Sequence, residues 1–393
     1  MVRLLNIQKN IKMRNLFYFP LEAVKNRYTL QLSDIWMPEA FKTQKDLNII
    51  IVGNVGNEEE ISEGVVLDAT RRGIFSMIQC TEFLTMVSKG IVKNDDIIFL
   101  QDFWTPGIEA IFYALDLYNI KIKLYSMLHA QSVDEYDFMY KMKDWARHFE
   151  LGISKKHSGI FVGSTIHREQ LKAIGINCPI HVLSLPLHYE NVKNNVKIIK
   201  KENQILFSSR LDNEKNPYFL YEFIKKILNE TTDWNIVITT SANDIKSNLG
   251  QEIIDKLKSL QNDRFKIKTN LTKKEYYFEL AKSKIQFNCS LQDYVSWTLL
   301  EALSYECLPL YPEFRSFPEI LSNEFLYKAF DLSKCFEKFK EIKNLNFKNT
   351  NLSEIPIKSD IARLFEVYIM KNDITTEFNI WHEFEKIKSL LNE

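Results

Sequence analysis

Asp293 and Glu301 stand eight positions apart in Asp293-Tyr-Val-Ser-Trp-Thr-Leu-Leu-Glu301. Asp293 falls in a polar turn after the apolar run 285–289, and Glu301 falls inside the helix that follows. A strand–turn–helix sets side chains and unpaired helix N–H groups at the carboxyl edge of a parallel sheet, where α/β folds bind ligands. The chemistry it suits is the holding of a nucleotide-linked substrate. Glu301 is flanked by Leu299, Leu300, Ala302 and Leu303, and a carboxylate in such company needs a partner. Two adjacent ribose hydroxyls are one such partner, because a carboxylate accepts from both. A buried salt bridge is the other. Asp293 reads equally as a ligand contact or as the N-cap of its helix.

A second strand end carries cations. Ser208-Ser-Arg-Leu-Asp-Asn-Glu-Lys-Asn-Pro217 closes a strand and opens a helix, with Pro217 suited to the first helical turn. Arg210 and Lys215 beside a helix N-terminus form either a diphosphate cradle or a pair of solvated charges. In the first half, Asp102 ends a strand in Leu100-Gln-Asp-Phe-Trp-Thr-Pro106. It suits a hydrogen bond to a ligand hydroxyl, or the capping of the next helix. Trp104, with Phe103 and Trp36, either stacks on a sugar or base or packs in the core. Arg27 and Tyr28 stand in the loop after the first strand, where Arg27 touches a phosphate or acceptor or lies on the surface. The turn Gly53-Asn-Val-Gly56 lacks the context of a dinucleotide fingerprint.

These residues need a frame, and the apolar pattern supplies it. Short apolar runs over 15–19, 47–53, 96–101, 120–126, 159–163 and 180–185 alternate with helical periodicity over 28–41, 74–89, 107–118, 134–150 and 166–173. The second half repeats the alternation, with strands over 204–208, 235–240, 265–268, 284–289, 308–311 and 325–327 and helices over 218–228, 251–260, 273–281 and 297–305. Strand–helix alternation implies parallel sheets, because a parallel pair needs a crossover. The charged, Gly-free stretch 189–202 reads as a linker between two doubly wound, Rossmann-like domains, 1–188 and 203–357. Residues 358–393 read as helices packing back on the first domain.

Composition fits a soluble enzyme. With 51 basic and 51 acidic side chains the formal net charge is +0, which argues against a chain coating bare nucleic acid without excluding a local basic groove. Five scattered cysteines with no C-x-x-C pair favour a reducing compartment over a disulfide framework or zinc site. The first fourteen residues lack an apolar signal core, and no run approaches the roughly 18 apolar residues of a membrane span, so a cytoplasmic location is expected.

Taken in order, S-S-R-L-D-x-E-K-N-P, the D-x7-E of Asp293 and Glu301, E-A-L-S-Y-E-C-L-P-L and Phe317-Pro-Glu-Ile-Leu321 resemble the C-terminal domain of GT-B glycosyltransferases, in particular the retaining family-4-like group. The resemblance spans 204–321. It implies two Rossmann-like domains facing across a cleft, and a hexosyl or pentosyl transferase using a nucleotide-diphosphate sugar. Arg210 and Lys215 would hold the diphosphate, Glu301 the ribose and Asp293 the donor sugar. Val295, Ser296 and Trp297 would offer backbone N–H groups. His129, in Ser126-Met-Leu-His-Ala-Gln-Ser132, resembles the histidine that reaches across the cleft to the donor sugar, with a structural histidine as the alternative. Arg27, Tyr28 and Trp104 would meet the acceptor. No metal or cofactor beyond the nucleotide sugar is expected. There are departures: Asp293 replaces a glutamate, Val-Ser-Trp replaces Gly-Phe-Gly, the first loop lacks glycine, and Glu306 stands where glycine is usual.

The segment 18–32 also resembles N-termini of glycosyltransferases encoded by large tailed phages. That likeness raises a hydroxymethylated base in DNA as the acceptor, with Arg71, Arg72, Lys141, Lys143 and Arg147 as a basic groove. The rival readings are a GT-B enzyme acting on a glycan, lipid or small molecule, a nucleotide-sugar epimerase or phosphorylase, and a non-catalytic nucleic-acid-binding protein.

Overall fold

A computed structural model describes residues 13–24, 27–42, 47–53, 69–183, 187–240, 245, 247–294, 296–350 and 352. Six strands build the first sheet: β1 Arg14–Phe19, β2 Leu47–Ile51, β3 Ile97–Leu100, β4 Lys123–Met127, β5 Gly159–Val162 and β6 Ile180–Val182. Their order is β2-β1-β3-β4-β5-β6. The second sheet holds β7 Glu202–Ser208, β8 Asn235–Thr240, β9 Phe265–Thr269, β10 Ser283–Phe287, β11 Leu308–Pro312 and β12 Leu326–Tyr327, in the order β12-β11-β10-β7-β8-β9. Every strand pair is parallel. Each strand falls where an apolar run predicts one. The central ones are buried on both faces, and a parallel sheet covered on both sides produces such runs.

The order in which successive strands are added reverses between β1 and β3 in one sheet and between β7 and β10 in the other, with all strands still parallel. Ligands of open α/β sheets bind at such switch points. Leu21 to Arg27 and Asp102 follow β1 and β3, while Arg210 to Lys215 and Asp293 to Glu301 follow β7 and β10. A buried cluster runs from Tyr18, Trp36 and Phe99 of the first domain to Leu206, Tyr277 and Tyr305 of the second, so the two domains share apolar packing.

The predicted helix over 134–150 is replaced by a 3-10 turn, Phe138–Met142, and a helix, Lys143–Ser154. Asp134 and Asp137 accept the N–H groups of Tyr136 and Met139 at 3.0 and 2.9 Å, which holds the backbone in turns before the helix begins. The predicted linker contains a short helix, Tyr189–Lys193, that buries Val192. Lys201 Nζ donates to the carbonyls of Leu280 and Tyr305 at 3.0 and 2.6 Å, so this stretch is tied to the second domain. A further helix, Leu332–Ile342, is absent from the sequence reading. The predicted tail domain 358–393 lies outside the described residues.

Candidate active site at the interdomain cavity

A cavity of about 430 Å³ lies between the two sets of strand ends. Arg27, Tyr28, Asp102 and His129 line it from the first domain, and Arg210, Lys215, Asp293, Ser296, Trp297 and Glu301 line it from the second. Of the remaining predicted site residues, Val295 lies outside the described residues. Trp104 is turned away from the cavity. Its ring packs on Phe149 at 4.9 Å and its indole N–H donates to Glu150 Oε1 at 3.2 Å, so the packing alternative describes it.

On the second domain's wall, Arg210 is only 35 % exposed and is gripped by Asp212 at 3.0 Å and Glu214 at 2.6 Å. These carboxylates aim the guanidinium and offset part of its charge. Asn216 takes the left-handed conformation (φ 51°) between Lys215 and the helix Pro217–Glu230. Lys215 donates to the carbonyl of Gln292 at 3.0 Å and lies 3.5 Å from Asp293 Oδ2. Asp293 therefore faces a cation and is not a helix cap. Ser296 precedes the helix Trp297–Ser304. The first N–H groups of any helix lack intrahelical acceptors, and here that end borders the cavity.

Glu301 is 2 % exposed. Lys273 Nζ at 2.8 Å and the Tyr277 hydroxyl at 3.1 Å both donate to its Oε1. The salt-bridge alternative is thus realised, yet Glu301 still lines the cavity, as does Lys273. A carboxylate with two occupied acceptor positions has others left. Tyr277 in turn accepts from Gln31 Nε2 of the first domain at 2.9 Å, and its own pKa is driven up by burial and by the charge of Glu301.

On the first domain's wall, burial raises the carboxyl of Asp102, while His129 and Arg72 counter that rise. Arg72 Nη2 lies 3.8 Å from Asp102 and donates to the carbonyl of Trp104 at 3.2 Å. Asp102 does not cap the next helix. Gly107, at φ 88°, occupies that position. His129 Nε2 donates to the carbonyl of Gln101 at 2.9 Å. A carbonyl only accepts, so Nε2 carries a proton. Gln101 also accepts from the Leu21 N–H at 2.8 Å, which anchors the loop after β1. The Arg27 pKa is lowered by burial and by the charge of Arg210 across the cavity. Tyr28 stacks on Trp297 at 4.9 Å and 20°, and its phenol is pushed up to about 12 by burial and by Asp102.

Sequence reasoning missed Lys273, Gln101 and Tyr277. A lysine at the start of an amphipathic helix, and polar residues beside apolar ones, carry no local mark of a site. The proposed basic groove does not form as a solvent-facing surface at its first two members. Arg71 pairs with Glu22, and Arg72 is buried and lines the cavity. Among the described residues no group of three or more His, Cys, Asp or Glu side chains is placed to hold a metal ion. No described helix is long and apolar enough to cross a membrane.

No family model and no curated protein matches the sequence. Solved structures do. Sucrose-phosphate synthase of Thermosynechococcus elongatus superposes with a TM-score of 0.63 at 9% identity, over 96% of this chain and 100% of that one. An α,α-trehalose-phosphate synthase (UDP-forming) from Burkholderia vietnamiensis gives 0.62 at 11% identity, over 90% of this chain and 98% of that one. A mutant of S. aureus TarM, in complex with fondaparinux, α-GlcNAc-glycerol and UDP, gives 0.53 at 13% identity over 75% of this chain. The chain spans 59% of that TarM chain. Identities this low establish the fold alone: two Rossmann-like domains with their switch points facing across a cleft, the GT-B fold.

Proposed function

We propose that this protein transfers a glycosyl group from a nucleotide-diphosphate sugar to a hydroxyl acceptor. The observation that carries the reading is the convergence of Arg27, Arg210, Lys215, Asp293 and Glu301 with Asp102 and His129 on one cavity between two switch points. Three cations at one place suit a diphosphate, and fixed positive charge stabilises a diphosphate as it departs. Glu301 sits where a ribose would offer paired hydroxyls. Asp293, anchored by Lys215, would accept from donor-sugar hydroxyls.

The first domain would bind the acceptor. Asp102 accepts a hydrogen bond from the attacking hydroxyl, and His129, locked through Nε2, presents Nδ1 to the sugar. Retention of configuration and the family-4-like grouping rest on the motif order. UDP bound to TarM and the UDP-forming chemistry named for the Burkholderia enzyme support a nucleoside diphosphate as the shared ligand class. A hydroxymethylated base in DNA and a free sugar both present the required hydroxyl.

The test is a thermal-shift screen with UDP, GDP, ADP and their sugar conjugates, because a ligand that binds only the folded state raises its melting temperature. The expected result is a shift with one base that is lost in Arg210→Ala. No shift with any of them removes the reading. Incubating the bound donor with plain DNA, hydroxymethylated DNA and free sugars, followed by mass measurement, identifies the acceptor.

A further inference from the structure

Tyr294 adjoins Asp293 in the chain, yet it does not line the cavity, and its side chain is held from across the domain boundary. Its hydroxyl donates to Asp134 Oδ2 at 2.8 Å and accepts from Gln131 Nε2. Its ring lies face to face with His167, centroids 3.9 Å apart and planes within 16°. All three partners belong to the first domain.

The same contacts close into a circuit. Asp134, fully buried at its side chain, receives Arg315 of the second domain through two hydrogen bonds of 2.6 and 3.2 Å. Arg315 holds a left-handed backbone (φ 49°), which a residue with a side chain keeps only when its surroundings demand it. Its neighbour Ser316 donates from Oγ to the carbonyl of Asp293 at 2.8 Å. The path therefore runs from Asp134 through Arg315 and Ser316 to Asp293, then through Tyr294 back to Asp134. At the far end of the segment, the Trp297 ring packs against Tyr28 and Trp36 of the first domain, at 4.9 and 5.6 Å. Arg210 and Glu301 are set differently. Their partners Asp212, Glu214, Lys273 and Tyr277 all belong to the second domain.

We propose that Tyr294 is a positioning residue through which the first domain seats Asp293. The sugar-facing half of the donor site is then complete only when the two domains are together, while the side chains that directly hold Arg210 and Glu301 come from the second domain. This rests on the glycosyl-transfer reading. It extends that reading by dividing the donor site into a part whose direct partners lie within the second domain and a part whose partners lie in the first.

The division predicts a split between binding and turnover. Tyr294→Phe keeps the stacked ring and loses the hydroxyl, and Asp134→Asn disturbs the same circuit from the other domain. The probes are UDP, GDP and ADP, using whichever binds the wild type most tightly, together with its sugar conjugate. Both variants are expected to bind the nucleoside diphosphate within about twofold of wild type. With the acceptor hydroxyl found in the acceptor screen, or water, taking the sugar, both should release it from the sugar conjugate about ten- to a hundredfold more slowly, the range expected for a misplaced reacting group. Unchanged release in both variants overturns the inference, and so does a loss of nucleoside-diphosphate binding as large as the loss of rate. A wild type that binds no nucleoside diphosphate, or binds one and transfers its sugar neither to water nor to any acceptor of the screen, removes the glycosyl-transfer reading itself, and the inference with it.

Discussion

Glu319 of the second domain accepts the backbone N–H of Thr165 in the first, at 2.7 Å to Oε2, while its Oε1 accepts from Ile166 at 2.9 Å. A carboxylate thus sits on the positive end of the helix Thr165–Ala173 from outside its own domain. Glu319→Ala leaves two partly buried N–H groups unanswered. We expect a loss of about 2 kcal/mol in stability by denaturant titration, near the upper end for a helix-end charge. A loss below half of that would mean that water replaces the carboxylate.

Arg210 and Lys215 line the cavity and are proposed to hold the leaving diphosphate. Arg210→Ala and Lys215→Ala should each lower kcat by a factor corresponding to roughly 2–4 kcal/mol, the range for removing one group that stabilises transition-state charge. Single-turnover rates on the donor identified by the thermal screen check this. Wild-type rates in both variants would show that these side chains do not face the reaction.

Lys273 holds the buried carboxylate of Glu301. Lys273→Met should destabilise the fold by about 2 kcal/mol. That is less than the roughly 3–5 kcal/mol for stripping a fully enclosed pair, because the Lys273 side chain still reaches solvent. Calorimetric melting measures it, and nucleoside-diphosphate affinity should fall in parallel if the ribose needs a correctly aimed Glu301.

Burial raises the Asp137 carboxyl to about 7. A carboxyl raised on folding favours the folded state while protonated, so its contribution is full below the ordinary carboxylate range and is lost as pH climbs through about 7. His157 and His167 are buried neutral and pushed down to about 4 and about 3, so they act oppositely, losing their contribution as pH falls from about 6.5. Asp137→Asn can still accept from Met139 and removes only the first effect. Between pH 5 and pH 8 the variant should gain about 2 kcal/mol relative to wild type in urea titrations. Parallel curves for the two proteins would show that Asp137 ionises freely in the folded state.

Glu306, where the resembling family has glycine, adopts φ 59°. The left-handed conformation costs a side-chain-bearing residue about 1–2 kcal/mol, and glycine returns part of that gain through its floppier unfolded chain. Glu306→Gly is therefore expected to raise stability by up to about 1 kcal/mol, read as a rise in Tm. A lower Tm would mean that its side chain makes a contact worth more than the strain.

The strands and most helices were legible because parallel strands covered on both faces must be apolar throughout, and their crossovers must be amphipathic. That pattern also marked the strand ends, and so selected Asp102, Arg210, Lys215, Asp293 and Glu301 as residues at the mouth of a sheet. It failed at 134–137, where aspartate side chains outbid the helix for backbone N–H groups, and at Trp104, whose aromatic ring reads alike in a core and in a binding site.

By itself, then, the sequence determined two parallel sheets and which charged side chains sit at their carboxyl edges, because periodicity and turn chemistry are local properties of the chain. Only the tertiary structure decided that these edges face each other, that Lys273 answers Glu301, and that Tyr294 is seated by Gln131, Asp134 and His167. Those pairs join residues far apart in the chain. No local pattern encodes them, since a contact of that kind depends on how two separately folded surfaces meet.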